Sequence, residues 1–291
     1  MLNEKIKNLR KQNNLTQEEL ADKLCVSRQA ITKWETGAGV PDIANIEAIA
    51  KLFGVTFDEL LSENPSIAHD NVSRTEFDIF KKNDFEITFD TLCSLSVTES
   101  DFEKVVVEIR TDLDVPAYKL MKVKLINGKN SDFSCIKIQA EKKFVLPNGK
   151  LFSKQDAKSH VFVTVILPKE LAKDVELNGT IMRLNLHDFA EYKHVEFDGK
   201  VEDVTVERVN GHFELTSGTD MNVRYDGSMA QLDINQLNAI TTLYLKKDAK
   251  VNVYNKGRSS NVIFDGYDNF EDSDNKVELN GRKAELTVKY E

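Results

Sequence analysis

A chain of 291 residues that is 41% hydrophobic has room for two domains and furnishes cores for both. Its net charge of -9 excludes a protein that binds nucleic acid over its whole surface, because neutralising phosphate needs Lys and Arg, so any such contact must be local. Three cysteines, Cys25, Cys93 and Cys135, are odd in number and lack C-x-x-C spacing, which indicates neither a disulfide framework nor a zinc knuckle and fits a reducing compartment.

The start MLNEKIKNLRK has no apolar signal region, and the longest strongly apolar stretch, Val161 to Leu167, is far too short to span a bilayer. The expectation is a soluble, cytoplasmic protein with no membrane partner. Leu2, Ile6 and Leu9 at helical spacing predict a first helix that ends near the polar run from Lys11 to Asn14.

The stretch Gln17 to Thr36, QEELADKLCVSRQAITKWET, carries Leu20, Ala21, Leu24, Val26, Ile31 and Trp34 in two helical stripes. The stripes can face each other only if the chain bends sharply near Cys25. Thr16 with Glu19 forms a capping box for the first of these helices, and Ser27 is placed to cap the second. With the apolar residues turned inward, the second helix presents Arg28, Gln29, Thr32 and Lys33 outward. These are base-reading types: Arg and Lys for guanine O6/N7, Gln for adenine N6/N7, the Thr methyl for thymine. From Met1 to Lys33 there are seven Lys/Arg (Lys5, Lys7, Arg10, Lys11, Lys23, Arg28, Lys33) against four acids (Glu4, Glu18, Glu19, Asp22), so the positive excess lies where a groove-facing helix needs it. A helical hairpin with a merely solvated polar face is the bland alternative.

Gly37 reads as a C-terminal cap and Pro41 as the restart, followed by Ile43, Ile46, Ile49 and Phe53 on one stripe closed by Gly54. A second capping box, Thr56 with Glu59, opens a last short helix holding Phe57, Leu60 and Leu61, which makes five helices. Over Met1 to Leu61, and most of all in SRQAITKWETGAGVPD, the sequence resembles the XRE family of helix-turn-helix regulators, the phage-repressor-like group. The resemblance implies a sequence-specific DNA-binding transcriptional regulator whose recognition helix, residues 27–36, enters the major groove of double-stranded operator DNA. It also implies a pairing of Arg10 with Glu35 across the bundle, two solvated charges being the alternative. Cys25 departs from the family pattern, standing where the backbone goes left-handed and Gly is usual, at a cost of about 1 kcal/mol.

Residues 63–75, ENPSIAHDNVSRT, have no period and read as a linker between a helix-turn-helix domain at 1–62 and an all-β domain at 76–291. Beyond Thr75 the period becomes two, as in Phe85/Ile87/Phe89, Val105/Val107/Ile109, Val161/Val163/Val165 and Leu184/Leu186. Turn dipeptides recur between the runs, among them Asn148-Gly149, Asn178-Gly179, Asp198-Gly199, Asn210-Gly211, Asp226-Gly227 and Asn280-Gly281. The interval of 20 residues from Asn178 to Asp198 suits one coil of a β-solenoid or β-roll, and the interval of 16 from Asn210 to Asp226 suits a hairpin and hence a β-sandwich. Val175 to Asn255 in particular resembles adhesin-like β-repeat domains, and the solenoid is the expected fold.

No enzyme chemistry is expected. Five histidines include no H-E-x-x-H and no H-x-H, no Gly-rich phosphate loop follows a strand, and the acidic run DGYDNFEDSD at 265–274 lacks the EF-hand ligand order. No metal and no cofactor are therefore assigned. A self-cleaving Ser/Lys repressor finds only Gly227-Ser228-Met229, which lacks an intervening residue, and a surface-binding β-repeat protein with a vestigial helix-turn-helix is the remaining alternative. The expected site is Gln17 and Ser27 on the phosphates, by way of helix N-termini, with Arg28, Gln29, Thr32 and Lys33 on the bases. The β-domain is expected to join two copies as a homodimer or to sense a small-molecule or protein effector.

Overall fold

The computed structural model describes residues 2–12, 15–53, 71–79, 81–127 and 133–291. The chain divides into two compact units, Met1–Ala68 and His69–Glu291. The first is helical and the second is dominated by strands.

The described helices of the first unit are α1 (Leu2–Gln12), α2 (Gln17–Leu24), α3 (Arg28–Thr36) and α4 (Ile43–Phe53). Ile6, Leu20, Ala21, Leu24, Ile31, Trp34, Ile46 and Ile49 form one buried core, with Leu2, Leu9, Val26 and Phe53 packed partly buried against it. Each of the six apolar residues that define the two stripes is therefore inside or against the core. Each fully buried Leu or Ile contributes about 2 kcal/mol relative to exposure, which no single helix this short could supply by propensity. The fifth helix expected around Phe57, Leu60 and Leu61 lies outside the described residues.

The second unit opens with β1 (Val72–Asp78), so the first strand begins inside the stretch expected as linker; residues 63–70 of that stretch lie outside the described residues. Next come β2 (Asn83–Ser100), β3 (Lys104–Thr111), a helical turn α5 (Ala117–Leu120), β4 (Met121–Asn127), β5 (Phe133–Ala140), α6 (Lys154–His160) and β6 (Val161–Pro168). The rest is strand and connection: β7 (Ala172–Lys200), β8 (Asp203–Ser217), β9 (Met221–Tyr225), β10 (Gln231–Leu237), β11 (Ile240–Leu245), β12 (Asn252–Asn255), β13 (Asn261–Asp265), β14 (Lys276–Arg282) and β15 (Glu285–Tyr290).

The sheet is mixed. β1–β3, β3–β6 and β4–β5 pair antiparallel, whereas every pairing between named strands from β7 onward is parallel. Along one ladder Leu95, Leu184, Val204, Val223, Leu243 and Val288 are successive register partners. Along another Val195, Phe213, Leu232, Val277 and Val253 follow one another in the same way. All of these side chains are buried, so each inward position stacks on the same kind of residue one pairing on. The opposite face of each strand alternates outward, as a period of two requires.

The hairpin reading of the Asn-Gly dipeptides fails at particular sites. Asn210-Gly211 lies inside β8, where Gly211 pairs with Lys193 of the parallel strand β7, and Asn280-Gly281 lies inside β14, paired in parallel with β10. These glycines are corners where a neighbouring backbone presses in. A Cβ on Gly281, at φ +107, would stand 1.8 Å from the Gln236 carbonyl oxygen, and one on Gly211, at φ +143, would stand 1.9 Å from that of Lys193. Only glycine fits either place.

Candidate nucleic-acid interface

The site is built by two short helices and the bend between them. Thr16 caps α2 with both halves of a capping box: its Oγ1 accepts from the Glu19 backbone N–H at 3.2 Å, and its own N–H donates to Glu19 Oε2 at 2.7 Å. Those bonds hold the Glu19 carboxyl below its ordinary range. α2 ends at Cys25, which is left-handed at φ 55, as the sequence position required. Ser27 then caps α3, its Oγ accepting from the Ala30 N–H at 3.2 Å, and Gly37 closes the helix at φ 76.

Within α3 the buried residues are Ile31, Trp34 and Glu35. Arg28, Gln29, Thr32 and Lys33 are all exposed, so the four expected base readers share the outward face, and exposed Ser27 stands at its N-terminal end. Thr36, also exposed and one helical turn beyond Thr32, falls on the same stripe; its spacing was legible in the sequence but its type was not distinctive. Arg28 lies 3.7 Å from Glu18 of α2, an open contact between two well-exposed side chains that a phosphate or base could displace.

Gln17 differs from the others. It is half-buried and its amide is engaged: Nε2 donates to Glu35 Oε2 at 2.8 Å and Oε1 accepts from Thr32 Oγ1 at 3.2 Å. Gln17 thus ties the start of α2 to the outward face of α3. Thr32 Oγ1 also lies 3.0 Å from the Arg28 carbonyl, so its single proton is shared between a cross-helix and a within-helix partner.

Beneath this face Arg10 meets Glu35. Arg10 Nε stands 2.5 Å from Glu35 Oε1 and Nη2 2.9 Å from Oε2, while Nη1 donates to the Leu15 carbonyl at 2.8 Å. Burial pushes the Glu35 carboxyl up, but the hydrogen bonds from Arg10 and Gln17 prevail and hold it below its ordinary range. The expected pairing is present, and it locks α1 to the underside of α3 through a two-bond fork.

Residues 6–60 match the helix-turn-helix family. Over 60 residues the chain is 57% identical to the HTH-type transcriptional activator BcrR of Enterococcus faecalis, a match that covers 21% of this chain and 29% of that protein. Over 56 residues it is 46% identical to an uncharacterised HTH-type transcriptional regulator of Methanocaldococcus jannaschii, covering 19% of this chain and 85% of that protein. Among solved structures, a candidate cell adhesion protein from Clostridium sporogenes aligns with a TM-score of 0.34 at 10% identity, covering 76% of this chain and 100% of that chain.

Proposed function

Because the chain belongs, through its N-terminal unit, to the helix-turn-helix regulators of XRE type, we propose that it is a sequence-specific transcriptional regulator that docks α3 in the major groove of double-stranded operator DNA. The observation that carries this reading is the division of α3 into a face fixed by buried Ile31, Trp34 and Glu35 and a face of exposed Arg28, Gln29, Thr32 and Lys33. In the groove Arg28 and Lys33 address guanine, Gln29 addresses adenine and Thr32 addresses the thymine methyl. Ser27, at the N-terminal end of α3, meets a phosphate. Gln17 does so with the amide N–H that Glu35 does not take.

The second unit joins two copies of the chain or senses an effector, and its parallel ladders are read as the stacked coils of a β-solenoid. Register offsets support that reading: Leu184 to Val204 is 20 residues, Val204 to Val223 is 19 and Val223 to Leu243 is 20. The chain acts in the cytoplasm, where its operator is. Selecting bound duplexes from a random pool with the purified full chain tests the proposal. Recovery of one motif supports it, and binding of all duplexes alike overturns it.

A further inference from the structure

Parallel, in-register pairing brings together residues that sequence spacing keeps apart. His194 of β7 and His212 of β8 are direct register partners, and their rings stack with centroids 4.9 Å apart. Glu214 lies two residues beyond His212 on the same strand, which puts it on the same outward face and diagonal to His194. One ligand atom from each of His194, His212 and Glu214 lies within 4.8 Å of the others, and all three residues are half-buried.

From this we infer that His194, His212 and Glu214 form a binding site for a borderline divalent transition-metal cation of the zinc type, on the outer face of the second unit. Tetrahedral zinc with bonds of about 2.0–2.2 Å sets its ligand atoms roughly 3.3–3.5 Å apart. His194 Nε2 and Glu214 Oε1 already stand at 3.3 Å. His212 Nε2 is 4.0 Å from the same oxygen, so binding requires it to move inward by about 0.5 Å. Two imidazoles with one carboxylate select zinc, nickel or cobalt over magnesium and calcium, which take oxygen. The fourth position has a local candidate. Asp233 Oδ2 is hydrogen-bonded to His212 Nε2 at 2.9 Å, a bond that must give way when this nitrogen takes a metal. Asp233, its other oxygen accepting from Gln231 Nε2 at 2.8 Å, then reaches the fourth position by moving back about 0.5 Å. Glu196 Oε1, 3.7 Å from His194 Nε2, brings a further carboxylate to the same row.

The test uses untagged, full-length chain stripped with a chelator, then titrated with zinc by calorimetry and with cobalt by visible absorption. One equivalent should bind, with the cobalt bands of a four-coordinate nitrogen and oxygen site. Affinity should fall about 10-fold in Glu214→Gln and about 100-fold or more in the His194→Gln/His212→Gln double variant, while His187→Gln, on another part of β7, binds as the parent does. Far-ultraviolet circular dichroism checks that each variant keeps its strands. If the double variant does not fold, the Glu214→Gln titration and its altered cobalt spectrum decide. Absence of saturable binding up to millimolar zinc overturns the inference, as does binding that survives loss of both imidazoles or of Glu214 unchanged.

Discussion

Arg10 and Glu35, 25 positions apart, meet in a two-bond ion pair whose carboxylate side chain is 2% exposed and whose guanidinium is 12% exposed. Removing one member of so enclosed a pair leaves the other buried without a counter-charge, so Glu35→Ala should destabilise the first unit by about 3 kcal/mol. The pair also sets a pH dependence. Glu35 is held below its ordinary value in the folded state, so the stability it supplies is complete above the unfolded value of about 4.3. It is lost as pH falls from there through the lowered folded value. Denaturation followed by Trp34 fluorescence should show this acid-side loss in the parent and less of it in Glu35→Gln. Equal slopes in the two proteins would falsify the assignment.

The recognition face makes a prediction about letters as well as affinity. Arg28→Ala and Gln29→Ala should each cost about 1–3 kcal/mol at one position of the half-site and relax preference there. Gln17→Ala should weaken all sequences alike, and because its amide also bonds Glu35 and Thr32 it should lower the stability of the first unit slightly. The comparison is made by titrating selected and single-base-altered duplexes at fixed salt. Unchanged binding by the Arg28/Gln29 double variant removes α3 from the groove.

The helix-turn-helix was legible because everything that forms it is local. Thr16 with Glu19, Ser27, the left-handed Cys25 and the two apolar stripes all act within a few residues of one another, and each stands where its sequence position required. The cross-bundle bonds of Gln17 were not legible, since its neighbour Glu35 lies 18 residues away and nothing in spacing marks the contact. In the second unit, alternation revealed strands but not their partners. An Asn-Gly inside β8 looks the same in sequence as one at a hairpin, because both need a residue without a Cβ; only the carbonyl of Lys193, brought in by the parallel neighbour, tells them apart. His194 and His212 stayed unrelated for the same reason, their proximity being a property of the register.

That crowding can be measured. Gly281→Ala places a methyl 1.8 Å from a carbonyl oxygen, a clash with backbone that no rotamer relieves, and should destabilise the second unit by more than about 3 kcal/mol. Gly149→Ala, at φ +80 with nothing within 4 Å, should cost only the left-handed penalty of about 1 kcal/mol. Thermal melts by far-ultraviolet circular dichroism rank the two. A Gly281→Ala protein as stable as Gly149→Ala means that β14 does not pack against β10 as described.

The two units should unfold separately. The core of the first, around Ile31 and Trp34, and the core of the second, around Leu184 and Val204, have no residue in common. Trp34, the single tryptophan, is buried in the helical core and reports that unit alone, whereas circular dichroism follows both. Denaturant curves from the two probes should therefore diverge, and Glu35→Ala should move the fluorescence midpoint while leaving the strand transition in place. Coincident curves at every denaturant concentration show a single cooperative structure instead.

The arrangement of the bound complex follows from affinity. If four side chains of one short helix read bases as proposed, they bind a half-site weakly, since each good contact contributes discrimination of only about 1–3 kcal/mol and association has its own entropic cost. Joining two such helices makes the second docking intramolecular at an effective concentration in the millimolar range, which raises affinity by about 100-fold or more without a new contact. Half-sites one helical turn apart, about 34 Å centre to centre, are the geometry that two symmetric copies select. If the second unit supplies the join, full-length chain sediments as a dimer and the recovered operator is a palindrome. A fragment ending at Ser62 then binds the same operator at least about 100-fold more weakly while keeping its preference at each base. A fragment that binds as tightly as the whole chain, or a whole chain that is monomeric on DNA, takes the join away from the second unit and leaves effector sensing as its task.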